Sequence, residues 1–113
     1  MVLVASGSAT SVAANSVSSD LAASGQFQFT GKGVYTLIAK ASATGLNVTF
    51  NNGGISPVSD LAIPFTGTAG TISIKDNVIM SQMLAGGKNE LKFRNTTGGA
   101  ITVDYMLYFD AVK

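Results

Sequence analysis

The chain has 113 residues, room for one domain with one hydrophobic core. It contains no cysteine and no histidine, which excludes disulfide frameworks, zinc–thiolate sites, haem ligation and every triad built on an imidazole. Charged residues make up 12% of it and the net charge is +1, so the clustered basic face that phosphate backbones require is missing and nucleic acid is not an expected partner.

Met1-Val2-Leu3-Val4 leads into Ser/Ala/Gly-rich sequence without the basic and apolar regions of a signal peptide, and synthesis in a cytoplasm is expected. No run approaches the ~20 apolar residues of a membrane helix, so no membrane partner is expected. Asn47-Val48-Thr49 and Asn95-Thr96-Thr97 match glycosylation sequons but read as strand and turn residues. From Ser6 to Gly25 the one charge is Asp20 and the one long side chain is Leu21. Residues 1–25 therefore read as an N-terminal arm or edge strand, able to lie across a neighbouring subunit by strand addition. Its valines are spaced as if for burial, which makes Val12 and Val17 candidate interface residues.

Residues 26–113 read as a β-sandwich domain. Period-2 alternation, the mark of strands with one buried face, begins at Gln26-Phe27-Gln28-Phe29-Thr30. After the Gly31-Lys32-Gly33 turn, Val34 to Lys40 is apolar on both faces, as a central strand must be. Leu46 to Phe50 alternates cleanly, and Asn51-Asn52-Gly53-Gly54 supplies residues that tolerate positive φ in a tight turn. Pro57 and Pro64 bracket a loop and a short strand from Leu61 to Phe65, both suited to an edge.

Thr71 to Lys75 alternates through Ile72 and Ile74. Asn77 to Leu84 reads as a strand with Val78, Met80, Gln82 and Leu84 on one face. Ala85-Gly86-Gly87-Lys88 is expected to be a hairpin turn into Asn89 to Asn95, where Leu91 and Phe93 face in and Glu90, Lys92 and Arg94 face out. Thr96-Thr97-Gly98-Gly99 turns the chain again, and Ile101, Val103, Tyr105, Leu107 and Phe109 line one face of the last strand. The expected fold is all-β, a β-sandwich of jelly-roll type with eight or nine antiparallel strands.

Few residues can carry chemistry. Asp20, Asp60, Asp76, Glu90, Asp104 and Asp110 are scattered, with no pair set to drive two carboxyl pKa values apart. Asp104, on the outward face of the last strand, is expected to pair with Lys92 or Arg94 across a hairpin. Gly86-Gly87-Lys88-Asn89 lacks the spacing of a phosphate loop. Asp60, Asp76 and Asp110 offer hard oxygens for calcium but form no Asp-x-Asp-x-Asp run, and no metal site is assigned. No catalytic, cofactor or metal residue is expected, and the protein is not expected to be an enzyme. On the outward face beside Asp104, Met106 and Tyr108 form a partly exposed stripe of residue types enriched at interfaces, either covered by the N-terminal arm or a subunit contact, and they join Val12 and Val17 as candidates.

Leu84-Ala85-Gly86-Gly87-Lys88-Asn89-Glu90-Leu91-Lys92-Phe93, followed by Ile101-Thr102-Val103-Asp104-Tyr105, resembles the last two strands of galactose-binding-like carbohydrate modules. Val34 to Leu37 and Phe50 to Gly53 are similar to their central strand pair. That resemblance implies the sandwich fold and, as an alternative function, a carbohydrate-binding module recognising a surface glycan. The chain departs from the pattern in having no tryptophan near Thr66-Gly67-Thr68 and no acidic N-terminal calcium motif. In overall style the short, Cys-free, Gly/Ala/Thr-rich chain, with Asn95 to Val103 leading through its last strand, resembles bacteriophage virion proteins. This implies a structural virion protein, a capsid decoration or accessory subunit whose partners are itself or other virion proteins, located in the virion.

Overall fold

The computed structural model describes residues 2–21, 29–67, 72 and 76–111. Eight strands run in chain order: β1 Val2–Val12, β2 Phe29–Thr30, β3 Gly33–Ala41, β4 Leu46–Asn52, β5 Ile55–Ala62, β6 Val78–Leu84, β7 Gly87–Asn95 and β8 Ile101–Ala111. They form two antiparallel sheets of four, ordered β1-β8-β3-β6 and β2-β7-β4-β5. The pairing is nested: β1 with β8, β2 with β7, β3 with β6 and β4 with β5, the innermost pair being a local hairpin. Of the two stretches of alternation at the margins of this set, Gln26 to Gln28, with Phe27, lies outside the described residues, as does Thr71 to Lys75 apart from Ile72.

The expected faces follow from alternation. In β7, Asn89, Leu91, Phe93 and Asn95 are buried while Lys88, Lys92 and Arg94 are exposed. In β4, Leu46, Val48, Phe50 and Asn52 are buried in the same phase. Those residues meet Tyr35, Leu37, Ala39, Val103, Tyr105 and Leu107 of the other sheet in one continuous core. Tilted ring pairs link the two layers, Tyr35 with Phe50 at 6.1 Å and Tyr105 with Phe93 at 5.3 Å between centroids. β3 is buried on both faces from Leu37 to Ala41, where it runs between β8 on one side and the start of β6, Asn77 and the Phe65–Thr66 segment on the other.

Residues 2–12 belong to the chain's own sheet. β1 pairs with β8 from Val2↔Phe109 to Val12↔Ile101 and sends Val4, Ala5 and Val12 into the core. The chain then crosses to the second sheet and runs beside β7: Ser18 N–H donates to Phe93 O (2.8 Å) and Leu21 N–H to Leu91 O (2.8 Å). In return, Ser18 Oγ accepts from Phe93 N–H (2.9 Å) and Asp20 Oδ1 from Leu91 N–H (3.0 Å). Side-chain oxygens thus complete a ladder where the local strand is irregular.

Three turn assignments differ from the expectation. Gly53 and Gly54, both at positive φ (59° and 88°), do form the two-residue β4–β5 hairpin that mirror-image turns require. By contrast, the turn at Gly86-Gly87 and the turn at Thr96 to Gly99 are not hairpins, because each carries the chain from one sheet to the other. Pro57 lies within β5 rather than in a loop, tolerated because β5 is an edge. In β6, a bulge opposite Leu37 and Ile38 shifts the phase: Met80, Gln82 and Leu84 lie opposite Leu37, Tyr35 and Gly33, but Val78 lies opposite Ile38 on the other face.

Buried asparagines fasten both ends of the sandwich. Asn52 Nδ2 donates to Asn89 Oδ1 (2.7 Å), Asn89 Nδ2 to Thr30 Oγ1 (3.0 Å), and Gly86 N–H to Asn52 Oδ1 (3.2 Å). The backbone at Gly53 passes so close to Gly86 that a Cβ there would run into the Gly86 carbonyl oxygen. At the other end, Asn95 Nδ2 donates to Val12 O (3.0 Å) and Gly99 O (2.8 Å), while its Oδ1 accepts from Thr97 N–H (2.9 Å).

Candidate functional site

The four candidate interface residues fall in three different places. Val12 is 2% exposed, packed into the core, and so presents nothing to a partner. Its place at the end of β1, opposite Ile101, fixes that burial. Val17 is 55% exposed, bridged to Arg94 alongside β7. Met106 and Tyr108 are half-buried on the outer face of the first sheet, and Tyr108 Oη donates to Met106 Sδ at 3.0 Å. Their rows continue across the sheet: Leu3, Tyr108, Thr36 and Ser81 in one, Ser6, Met106, Ile38 and Val78 in the next. β1 lies edge-on beside this stripe and does not cover it.

Asp104 is on the outer face, as alternation requires, but it is 3% exposed and its partners are not those expected. β7 and β8 belong to different sheets, so neither Lys92 nor Arg94 is its neighbour. Instead β1 bulges between Gly7 and Thr10, with Ala9 at φ 50°, and turns Ala9 N–H to Asp104 Oδ1 (2.7 Å), joined by Ser8 Oγ (3.3 Å). Lys40 is its register partner on β3. Beside it, Ser6, Gly7, Ser8, Ile72 and Met106 line an open cavity of about 190 Å³. The neighbouring Tyr105 phenol is pushed above its ordinary pKa by burial, partly offset by a hydrogen bond with Thr10.

Arg94 pairs with Asp60 instead. Nε and Nη2 reach the two carboxylate oxygens at 2.9 and 2.7 Å, a bidentate contact spanning β4 from β7 to β5. Asp60 stands at φ 48° in a bulged part of β5, with its N–H on Thr49 Oγ1 (2.9 Å). The Arg94 hydrogen bond holds the Asp60 carboxyl below its usual range, assisted by Asn47, and the same contact raises Arg94. Both side chains are about half exposed, so the pair contributes little to stability. Among the described residues no three acidic side chains lie together as a metal cluster, and Asp60 is committed to Arg94.

Six large apolar side chains are exposed among the described residues: Leu3, Val17, Phe29, Ile55, Leu61 and Met83. Every one lies on the outermost strand or segment of a sheet: β1, the segment beside β7, β2, β5 and β6. The middle strands β3, β4, β7 and β8 contribute none. Sequence reasoning missed this pattern because it depends on which strands are edges, which alternation does not reveal. A glycan platform would need a ring over polar side chains, whereas Phe29, 68% exposed, stands on an edge.

No family model, no curated protein and no solved structure matches this chain.

Proposed function

We propose that this protein is a non-catalytic structural subunit of a virus particle, an accessory or decoration protein of the capsid. It acts through contacts with copies of itself or other virion proteins and needs no cofactor. The observation that carries this reading is the placement, on the rims of the two sheets, of all six large apolar side chains exposed among the described residues. Rims are where β-domains meet side by side, and apolar rim residues on a chain with 12% charge favour lateral association over a free monomer. Asp20, Asp60 and Asp104 act as acceptors for backbone amides or Arg94, which suits a scaffold role.

We read the sandwich as a jelly roll, the architecture of many viral capsid domains. The nested pairs β1·β8, β2·β7, β3·β6 and β4·β5, split into orders 1-8-3-6 and 2-7-4-5, support this, since rolling up one long folded ribbon produces them. Sedimentation velocity over a range of concentrations tests the assembly reading. A mass rising above that of one chain is expected, together with co-sedimentation with particles. A single-chain mass at every concentration, with no particle binding, would falsify it.

A further inference from the structure

We propose that β6 is a self-pairing edge: two copies of the chain join β6 to β6, antiparallel, about a two-fold axis at Gln82. This rests on the assembly reading above and names its partner, a second copy.

The four edges are not equivalent. β1 is broken by two register shifts, and the amide of Ala9 is turned inward to Asp104. β5 carries Pro57, two shifts, and Asp60 at positive φ. Among the described residues, the β2 side shows a two-residue strand and a segment whose Ser18 and Asp20 side chains occupy part of the ladder. Each of these devices discourages strand addition. β6 has one bulge near its start and then runs in unbroken register from Met80 to Leu84, with no charge and no proline.

The outward amides of β6 can be assigned. Ala39 N–H donates to Asn77 O (3.2 Å) across the boundary between β3 and β6. Alternate residues of an antiparallel ladder turn their backbone groups to the same side, so Leu37 and Tyr35 also address β6, where Met80 and Gln82 face them. The backbone groups of Ser81 and Met83 therefore point away from the sheet. Both residues are exposed, Met83 by 51%. A two-fold axis at Gln82 sets Ser81 against Met83 of the other copy twice, each pair exchanging both N–H···O bonds. No like charges meet, since the strand has none. The contact closes on itself, extending two four-stranded sheets into one.

The assignment singles out its own variants. Ser81→Pro removes an outward N–H and leaves the ladder to β3 intact, and Met83→Lys puts a charge on the edge. Gln82→Cys places the chain's only thiol on the axis, where facing Cα atoms of a non-hydrogen-bonded pair lie ~4.5 Å apart, within disulfide reach. Sedimentation of wild type and variants, with thermal unfolding of each, is the experiment. Both substitutions should weaken self-association at least ~10-fold, about 1.4 kcal/mol, with a cooperative unfolding transition retained. Gln82→Cys should oxidise to a covalent dimer, and Val17→Cys, on another rim, should not. If wild type associates and both variants associate equally well, the β6 edge is wrong and the assembly reading stands. A wild type that never associates with itself overturns the β6 pairing, and the assembly reading falls with it only where the chain also binds no particle. A Ser81→Pro chain that fails to fold shows that its N–H faces β3, which overturns the assignment directly.

Discussion

Replacing Asn89 with leucine tests whether the buried amides fasten the end of the sandwich. Asn89 is 0% exposed and bonds Asn52 through Oδ1 and Thr30 through Nδ2. Leucine fills a similar volume, so the change is in hydrogen bonding rather than packing. The buried Asn52 Nδ2 loses its acceptor, which costs about 1–3 kcal/mol, and the lost bond to Thr30 adds about 1 kcal/mol. Extra apolar burial offsets roughly 1 kcal/mol. The net expectation is a loss of about 1–3 kcal/mol, or about 4–13 °C in Tm for a domain of this size. Urea unfolding followed by circular dichroism measures it, with the m-value expected to hold constant. The double variant Asn52→Leu/Asn89→Leu should lose at least about 1 kcal/mol less than the sum of the single changes, because the stranded amide is gone. Additive losses, or an Asn89→Leu protein as stable as its parent, would show that the asparagines act independently and the network reasoning is wrong.

Other substitutions test neighbouring parts of the fold. Leu107→Ala, in the centre of the core, should cost about 2–5 kcal/mol in chemical denaturation, and Tyr108→Ala on the outer face clearly less; the reverse order would invert the faces of β8. Deleting residues 1–12 removes the partner of β8 along with Val4, Ala5 and Val12, so no cooperative thermal transition is expected; a folded truncated domain would mean that β1 is an appendage. The Asp60 pKa is depressed in the folded state, so the stabilisation from its contact with Arg94 is present above the ordinary carboxylate range and disappears as pH falls through the depressed value. Comparing Asp60→Asn with wild type across acid pH, the small gap in Tm should close at the acid end; a gap that widens there contradicts the sign.

Much of the sandwich was legible because a period of two is dictated by the pleat. Leu91 and Phe93 against Lys92 and Arg94 could be sorted into faces from the sequence alone, and so could the last strand from Ile101 to Phe109. Pairing was less accessible. Thr96-Thr97-Gly98-Gly99 has the chemistry of a turn, but the same chemistry serves a hairpin and a crossing between sheets. The misplaced partner of Asp104 followed from that ambiguity, since its contacts come from a bulge almost a hundred residues away in sequence at Ser8 and Ala9. Asn52 reads as a turn former, and Asn89 and Asn95 as the two ends of a strand. Their phase was a usable signal: Asn89 and Asn95 keep step with Leu91 and Phe93, and Asn52 with Val48 and Phe50, which marks them as core-facing.

The nested pairing also fixes when the fold can close. Of the eight strands β1 leaves the ribosome first, and its partner β8 leaves last, so Val2 waits for Phe109. At synthesis rates of roughly 5–20 residues per second, the N-terminal strand stays without its neighbour for several seconds. β8 also sits in the middle of its sheet, between β1 and β3, so the first layer has no centre until the end. The β4–β5 hairpin can form early, but the sandwich cannot fold progressively from its N-terminus. Neighbouring nascent chains share that interval with unpaired strands of the same sequence, and the distance between ribosomes on a message then bears on how many chains reach the correct partner.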